Sequence, residues 1–294
     1  MSSTYTVRTK LDSYTYGNEP DELYWTLDSL NVSDSRVAVI ESADRDPVIQ
    51  VSVNPDGSFS VHYEGAGGEE LSSSNADILA LHQALLTGMR DKNRWLSVLR
   101  HLQDTFGSFG IEDGSPVDYA STGLTISTGL LDVSKRNQRL RRPPVLPLTL
   151  KWGLLAVTTG DAWGGLPIES TLSLTVLAQG AGVKQGIALM APRGQIRNGA
   201  DVGSPELILW AGDGRTFTIG CQSPHGVLQV CNVYEEAGPG WSRVERWTEN
   251  AGLWVEWVSE TERLYHCNHA STAPPTFDDL VFSVRVVDDS AAQA

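Results

Sequence analysis

The chain has 294 residues, 40% hydrophobic and 20% charged, with Gly and Pro spread along it, a composition that predicts ordinary folded domains, two of them for this length. A net charge of −14 and a pI near 4.8 repel phosphate backbones and anionic lipid, which argues against nucleic acid or a membrane surface as partner. No run approaches a membrane-spanning length, Met1 to Lys10 lacks the apolar core of a signal peptide, and three cysteines make a poor disulfide framework, so a cytosolic protein is expected.

In Asp21 to Leu30, Tyr24, Leu27 and Leu30 recur at helical spacing behind Asp21 and Glu22, acids that suit a helix N-terminus. Three segments with a two-residue period follow: Arg36 to Glu41, Pro47 to Val53 and Ser58 to Tyr63. Between the last two, Asn54-Pro55-Asp56-Gly57 is turn chemistry, so an antiparallel meander is predicted. Asn75 is placed to cap a helix through Ile78, Leu79, Leu81, Leu85 and Leu86 that Gly88 stops. A second helix is predicted over Asn93 to Gln103, with Trp95, Leu96, Val98, Leu99 and Leu102 on one face. Residues 1–109 therefore read as an α+β domain.

Residues 110–147 hold Gly, Ser, Pro and a basic run (Lys135, Arg136, Arg139, Arg141, Arg142) with little periodicity, and read as a connection interrupted by a short strand near Leu124 to Leu131. Beyond it nearly everything is strand-like: Thr149 to Thr158, Thr171 to Gln179, Gly186 to Ala191, Glu206 to Trp210, Arg215 to Gly220, Val227 to Tyr234, Leu253 to Ser259, Leu264 to Cys267 and Val281 to Val287. Residues 148–294 are expected to form an all-β antiparallel sandwich or barrel, making the chain mostly β overall.

Tyr24-Trp25-Thr26-Leu27, the Val48 to Val53 and Ser58 to Tyr63 strands, and Leu85-Leu86-Thr87-Gly88 before Trp95 together resemble the first immunity-protein family of bacterial polymorphic-toxin systems. The resemblance covers under a third of the chain. It implies a non-enzymatic domain that binds a toxin and carries over no catalytic residues. The Thr276-Phe277-Asp278-Asp279-Leu280-Val281-Phe282 segment resembles the acidic turn-to-strand motif closing some bacterial β-sandwich domains thought to bind calcium.

Candidate chemistry is sparse. Cys267 and His269 share a strand face and, with Cys221 and His225, offer ligand types that zinc prefers; buried cysteines beside surface histidines are the plainer reading. Asp278 and Asp279 supply oxygens for calcium but fewer than its six to eight, so solvated acids capping a loop are preferred. Gly180-Ala181-Gly182-Val183-Lys184-Gln185-Gly186 leads from strand to strand without a helix to hold phosphate, and reads as a hairpin. The basic residues Arg136, Arg139, Arg141 and Arg142 read as a solvated linker or a contact for an acidic surface. Trp254 and Trp257 fall on opposite faces of one strand, so one of them is available to stack on a sugar or anchor a partner.

No nucleophile elbow is present, and the cysteines sit on strand-like segments without a helix N-terminus. The reading preferred is a non-enzymatic, cofactor-free, immunity-like protein that acts by protein–protein contact, with a toxin as the partner the resemblance implies. The alternative is a ligand- or carbohydrate-binding β module, and an enzyme ranks third.

Overall fold

The computed structural model describes residues 4–10, 12–17, 19–32, 36–43, 47–65, 67–104, 117–139 and 147–287. Two compact units divide the chain, Met1–Leu124 and Thr125–Ala294.

In the first unit the two-residue period becomes an antiparallel six-stranded sheet. Its strands are β1 (Tyr5–Thr9), β2 (Ser13–Thr15), β3 (Val37–Ser42), β4 (Val48–Val53), β5 (Phe59–Glu64) and β6 (Glu70–Ala76), in the order β2-β1-β3-β4-β5-β6. The meander turn forms as expected: Gly57 adopts φ +83°, and its N–H donates to Asn54 O at 3.0 Å. Alternate residues Tyr5, Val7, Ile40, Ile49, Val51 and Val61 are buried. Three helices accompany the sheet: α1 (Pro20–Ser29), α2 (Ile78–Arg90) and α3 (Trp95–Asp104), the last preceded by a single 3-10 turn, Lys92–Arg94.

Two details of α2 differ from expectation. Its cap is Asp77, whose carboxylate accepts from Leu79 N–H at 3.0 Å, while Asn75 lies within β6. Gly88 does not stop the helix, which runs on to Arg90. A Cβ on Gly88 would lie 2.3 Å from the ring of Trp95, and Trp95 is fully buried with its Nε1–H donating to Tyr5 Oη at 3.1 Å. The glycine serves close packing and does not break the helix.

The second unit opens with α4 (Ile126–Arg139), where a strand and a linker were expected. Thr125 Oγ1 accepts from Thr128 N–H at 3.4 Å in the manner of an N-cap. Ile126 and Leu130 bury one face, and Asp132 pairs with Arg136 one turn on, 2.5 Å apart. The described part of the basic run thus ends a helix, where cations complement the negative end of the dipole. Arg136 and Arg139 stand in its last turn; Arg141 and Arg142 lie outside the described residues.

The strands that follow are β7 (Thr149–Trp152), β8 (Leu155–Thr158), β9 (Asp161–Gly164), β10 (Glu169–Gln179), β11 (Gln185–Met190), β12 (Gln195–Asn198), β13 (Glu206–Trp210), β14 (Thr216–Gln222), β15 (Val227–Gly238), β16 (Trp241–Glu245), β17 (Gly252–Trp257), β18 (Glu262–Asn268) and β19 (Leu280–Val287). An eight-stranded sheet runs β12-β14-β10-β19-β18-β17-β8-β7; a smaller one runs β13-β11-β15-β16, with β9 also on β15. All described pairings in this unit are antiparallel. One core, including Leu172, Leu174, Phe282 and Val284 of the larger sheet and Ile187, Leu189, Leu228 and Val230 of the smaller, joins them as a sandwich. The chain is mostly β, an α+β unit followed by a β-sandwich.

Thr149 to Thr158, expected as one strand, is the hairpin β7–β8, turned at Gly153 with φ +62°. Gly180 to Lys184, expected as a hairpin, instead carries the chain from β10 in the larger sheet to β11 in the smaller. Among the described residues no helix is long and apolar enough to cross a membrane.

Candidate functional site

Strand β15 is buried as far as Tyr234 and then becomes exposed at Glu236 and Ala237. Its partner β16 continues this wet end: Tyr234 stands opposite Glu245, Glu236 opposite Arg243, and Gly238 opposite Trp241. These residues share one sheet face by the strand period. The inter-sheet loop at Gly182 to Lys184 and the segment at His269 to Ser271 complete the walls of a cleft of about 650 Å³. An apolar patch of Tyr234, Ala251 and Ala270 with Val183 packs at its base.

The charges of the cleft are mostly tied together. Arg243 bridges two acids, with Nη2 2.7 Å from Glu236 and Nε 2.5 Å from Glu245. Lys184 lies 3.3 Å from Glu235 and 4.3 Å from the centre of the Trp210 ring. Glu249 is exposed and makes no ion pair among the described residues. Four carboxylates therefore face two cations in the lining, and the cleft is net negative. Trp247 and Glu249 both adopt left-handed backbone (φ 65° and 46°), a conformation that costs a non-glycine residue about 1–3 kcal/mol and is retained only where the surroundings enforce it. At Glu249 one such tie is visible: Ser127 N–H donates to its carbonyl at 2.9 Å.

His269 is 9% exposed. Its ring meets Tyr234 edge-on at 4.6 Å, and burial pushes its pKa below the usual 6.5 despite Asp279 and Glu249 nearby. The Ser271 backbone N–H donates to Nδ1 at 3.1 Å, so the neutral ring carries its proton on Nε2. That donor has no partner among the described residues. Tyr234 hydrogen-bonds Thr248, and burial raises its phenol pKa.

A buried amide holds this wall in place. Asn268 Nδ2 shares its two hydrogens among the carbonyls of Asn250, His269 and Thr272, at 3.0, 2.9 and 3.1 Å, and its Oδ1 accepts from Thr276 N–H at 2.9 Å. Asp279 adds a second tie, accepting from His269 N–H at 2.8 Å through Oδ2 while its carbonyl takes Gly180 N–H at 2.7 Å. Asp278 accepts from Thr276 Oγ1. The acidic pair thus organises the loop, and the glycine loop adjoins it.

The other candidates are placed apart from the cleft. Cys221 and Cys267 lie in the sandwich core, where burial raises both thiol pKa values, and His225 is exposed in a turn. Among the described residues no three of His, Cys, Asp and Glu are gathered as metal ligands. Cys231, which the sequence did not single out, is pushed up to about 11 by burial.

Trp254 stacks on His266 at 4.1 Å with the two rings nearly parallel. Trp257 is 70% exposed and covers Arg263 at 4.1 Å, with Trp163 on that guanidinium at 4.6 Å. Arg263 is buried and pairs with Asp161 at 2.5 Å, which also accepts from Tyr265 Oη at 2.9 Å. The cleft strand β16 escaped the sequence reading because Trp-Ser-Arg-Val-Glu buries no side chain fully. Its signal was Gly238-Pro239-Gly240 as a hairpin turn after β15.

No protein-family model, curated protein or solved structure matches the chain.

Proposed function

We propose that the chain is a non-enzymatic binding protein of the cytoplasm, and that its second unit is a carbohydrate-binding β module working through the β15–β16 cleft. The observation that carries this is Trp241. It is 48% exposed and stands on β16 beyond the residues that line the cleft, on the same face as Arg243 and Glu245; its ring lies across Gly238, where a Cβ would come within 2.5 Å, and the Arg243 guanidinium sits 5.4 Å from its centre. A planar aromatic beside fixed donors and acceptors is what a sugar needs: an apolar ring face to cover and hydroxyls to satisfy. Glu236 and Glu245 share one arginine, which holds both carboxylates in place as hydrogen-bond acceptors. The free, buried cysteines suit a reducing compartment. Titrating the chain with a glycan panel while following tryptophan fluorescence tests the proposal. The expected shift disappears in Trp241→Ala, and a panel without any response would sink the reading.

Protein contact, as in an immunity-like protein that captures a toxin, is the second reading, and the first unit supports it. Trp25 is 42% exposed on α1, beside Thr26, whose hydroxyl bonds Tyr14 at 2.8 Å. Half-buried Tyr14 and Tyr16 follow along β2 and the residue after it. Tryptophan and tyrosine at a surface are the residues that anchor protein interfaces. A partner captured by the wild-type chain and lost with Trp25→Ala is the expected result.

A further inference from the structure

We infer that the first unit takes an acidic amphipathic helix of a partner protein into the groove between α2 and α3, with apolar side chains on the groove floor and a carboxylate on Arg94. This rests on the protein-contact reading of that unit and names the chemistry of the partner.

The groove exists because the two helices face each other across small side chains. Ala80, Ala84 and Thr87 stand one turn apart along α2, and Ser97, Val98 and Leu102 line the same space from α3. None of these is long enough to fill it, which leaves a cleft of about 350 Å³. Its floor is buried at Ala84 and Leu102. The polar groups of the lining are engaged by the fold itself: Thr87 Oγ1 donates to Gln83 O and Ser97 Oγ to Arg94 O, both at 2.8 Å, and Gln83 Nε2 donates to Thr122 O. What the groove asks for is therefore apolar, and a sugar's hydroxyls would find few partners on it.

Charge decides which apolar segment fits. Arg94 and His101 line the groove, and among the described residues no carboxylate does. Arg94 is exposed and makes no ion pair among the described residues. Residues 90–104 carry four cations, Arg90, Lys92, Arg94 and Arg100, against two acids, Asp91 and Asp104. Asp91 is already spent as a cap, accepting from Asn93 N–H at 3.1 Å. This helix pair is thus net positive on a chain whose net charge is −14, so an acidic segment is drawn here and repelled elsewhere, whereas a basic one would be drawn to the acidic remainder. A helix matches the shape as well: apolar residues at i, i+3 or i+4 and i+7 recur at the same spacing as the lining of α2, the pattern of helix-in-groove recognition. Duplex nucleic acid would satisfy Arg94 but leave the apolar floor uncovered.

The test is selection on the full chain from a displayed library of helix-forming peptides, each about 16 residues or between four and five turns long, followed by titration of the selected peptides by fluorescence anisotropy. Selected peptides are expected to be net acidic, with apolar residues at i, i+3 or i+4 and i+7. Ser97→Trp, which fills the groove from an exposed position, and Arg94→Glu are each expected to weaken binding about tenfold or more with the circular dichroism unchanged, and added salt should weaken it too. Basic peptides, or acidic ones indifferent to both substitutions, would overturn the inference. A peptide that ignores Ser97→Trp but is lost with Trp25→Ala would place the contact at α1, overturning the groove and leaving the protein-contact reading standing. Selection of no peptide would overturn the groove, while the protein-contact reading would be decided by its own partner capture. Duplex DNA bound more tightly than any acidic peptide, and lost with Arg94→Glu, would assign the basic surface to nucleic acid and overturn the inference as well.

Discussion

The second unit builds two polar clusters from similar residues and uses them differently. Around Arg263, the guanidinium is sealed between Trp163 and Trp257, and Asp161 answers both it and Tyr265. Around His269, the backbone is fixed as tightly, by Asn268 and Asp279, but an imidazole donor and the Glu249 carboxylate have no protein partner among the described residues. Where a buried polar group finds every partner within the chain it fixes the structure. Where a polar group is fixed at a cleft wall and its remaining bond is left to solvent, a ligand can take the solvent's place.

The contrast is broken most severely at Asp161. Asp161→Ala strips the buried Arg263 of its counter-charge and should cost about 3–5 kcal/mol, because an isolated buried charge is penalised more than the pair contributes. Chemical denaturation would measure it, and a loss below about 1 kcal/mol would show that water reaches Arg263 freely. Asn268→Ala comes next. It orphans several backbone groups at once, each worth about 1–3 kcal/mol when left buried, so a loss of about 3 kcal/mol is expected, with weaker glycan binding as the His269 wall loosens.

The sequence disclosed the parts of this molecule that bury a repeating pattern. The meander from β3 to β5, the face of α2 and most sandwich strands were legible because several apolar residues recur at one period in each. Among the strands that escaped, β2, β9, β12 and β16 are short or solvated and bury at most one apolar side chain apiece, whereas β1 buries Tyr5 and Val7 within only five residues and β6 is the mostly polar run Glu-Leu-Ser-Ser-Ser-Asn-Ala. Helix α4 was misread because Leu-Thr-Ile-Ser-Thr-Gly-Leu-Leu favours strands by composition, while its helical evidence lay in pairs one turn apart, Ile126 with Leu130 and Asp132 with Arg136. Gly88 misled in the opposite way, since a glycine for ring packing looks like a glycine for capping. Of the cleft, His269 with its Asp279 tie and the glycine loop around Lys184 stood out in the sequence. Tyr234, Arg243 and Glu245 belong to it through strand pairing across a turn, and local periodicity carries no record of that.

Acidity sharpens the comparison at lower amplitude. Because His269 titrates below its usual 6.5 when folded, the unfolded chain takes up that proton first as pH falls. The stabilisation is complete above 6.5 and is lost as pH drops through the folded value. Denaturation midpoints measured across this window should therefore fall on acidification, and His269→Gln should flatten that part of the profile. A midpoint that rose on acidification, in the wild type but not in the variant, would contradict the burial argument.

The smallest expected effect separates the two clusters most directly. Glu249 is exposed and its side chain holds nothing in place, so Glu249→Gln should change stability by less than about 0.5 kcal/mol, the range of ordinary surface substitutions. The same change from carboxylate to amide at Asp161 would be felt at once through Arg263 and Tyr265. If Glu249→Gln destabilised the chain as Asp161→Asn does, the carboxylate would be supporting the left-handed turn rather than waiting for a ligand. If stability holds and glycan binding falls, the two sites divide as their hydrogen bonds indicate: one is complete within the fold, and the other is completed by what it binds.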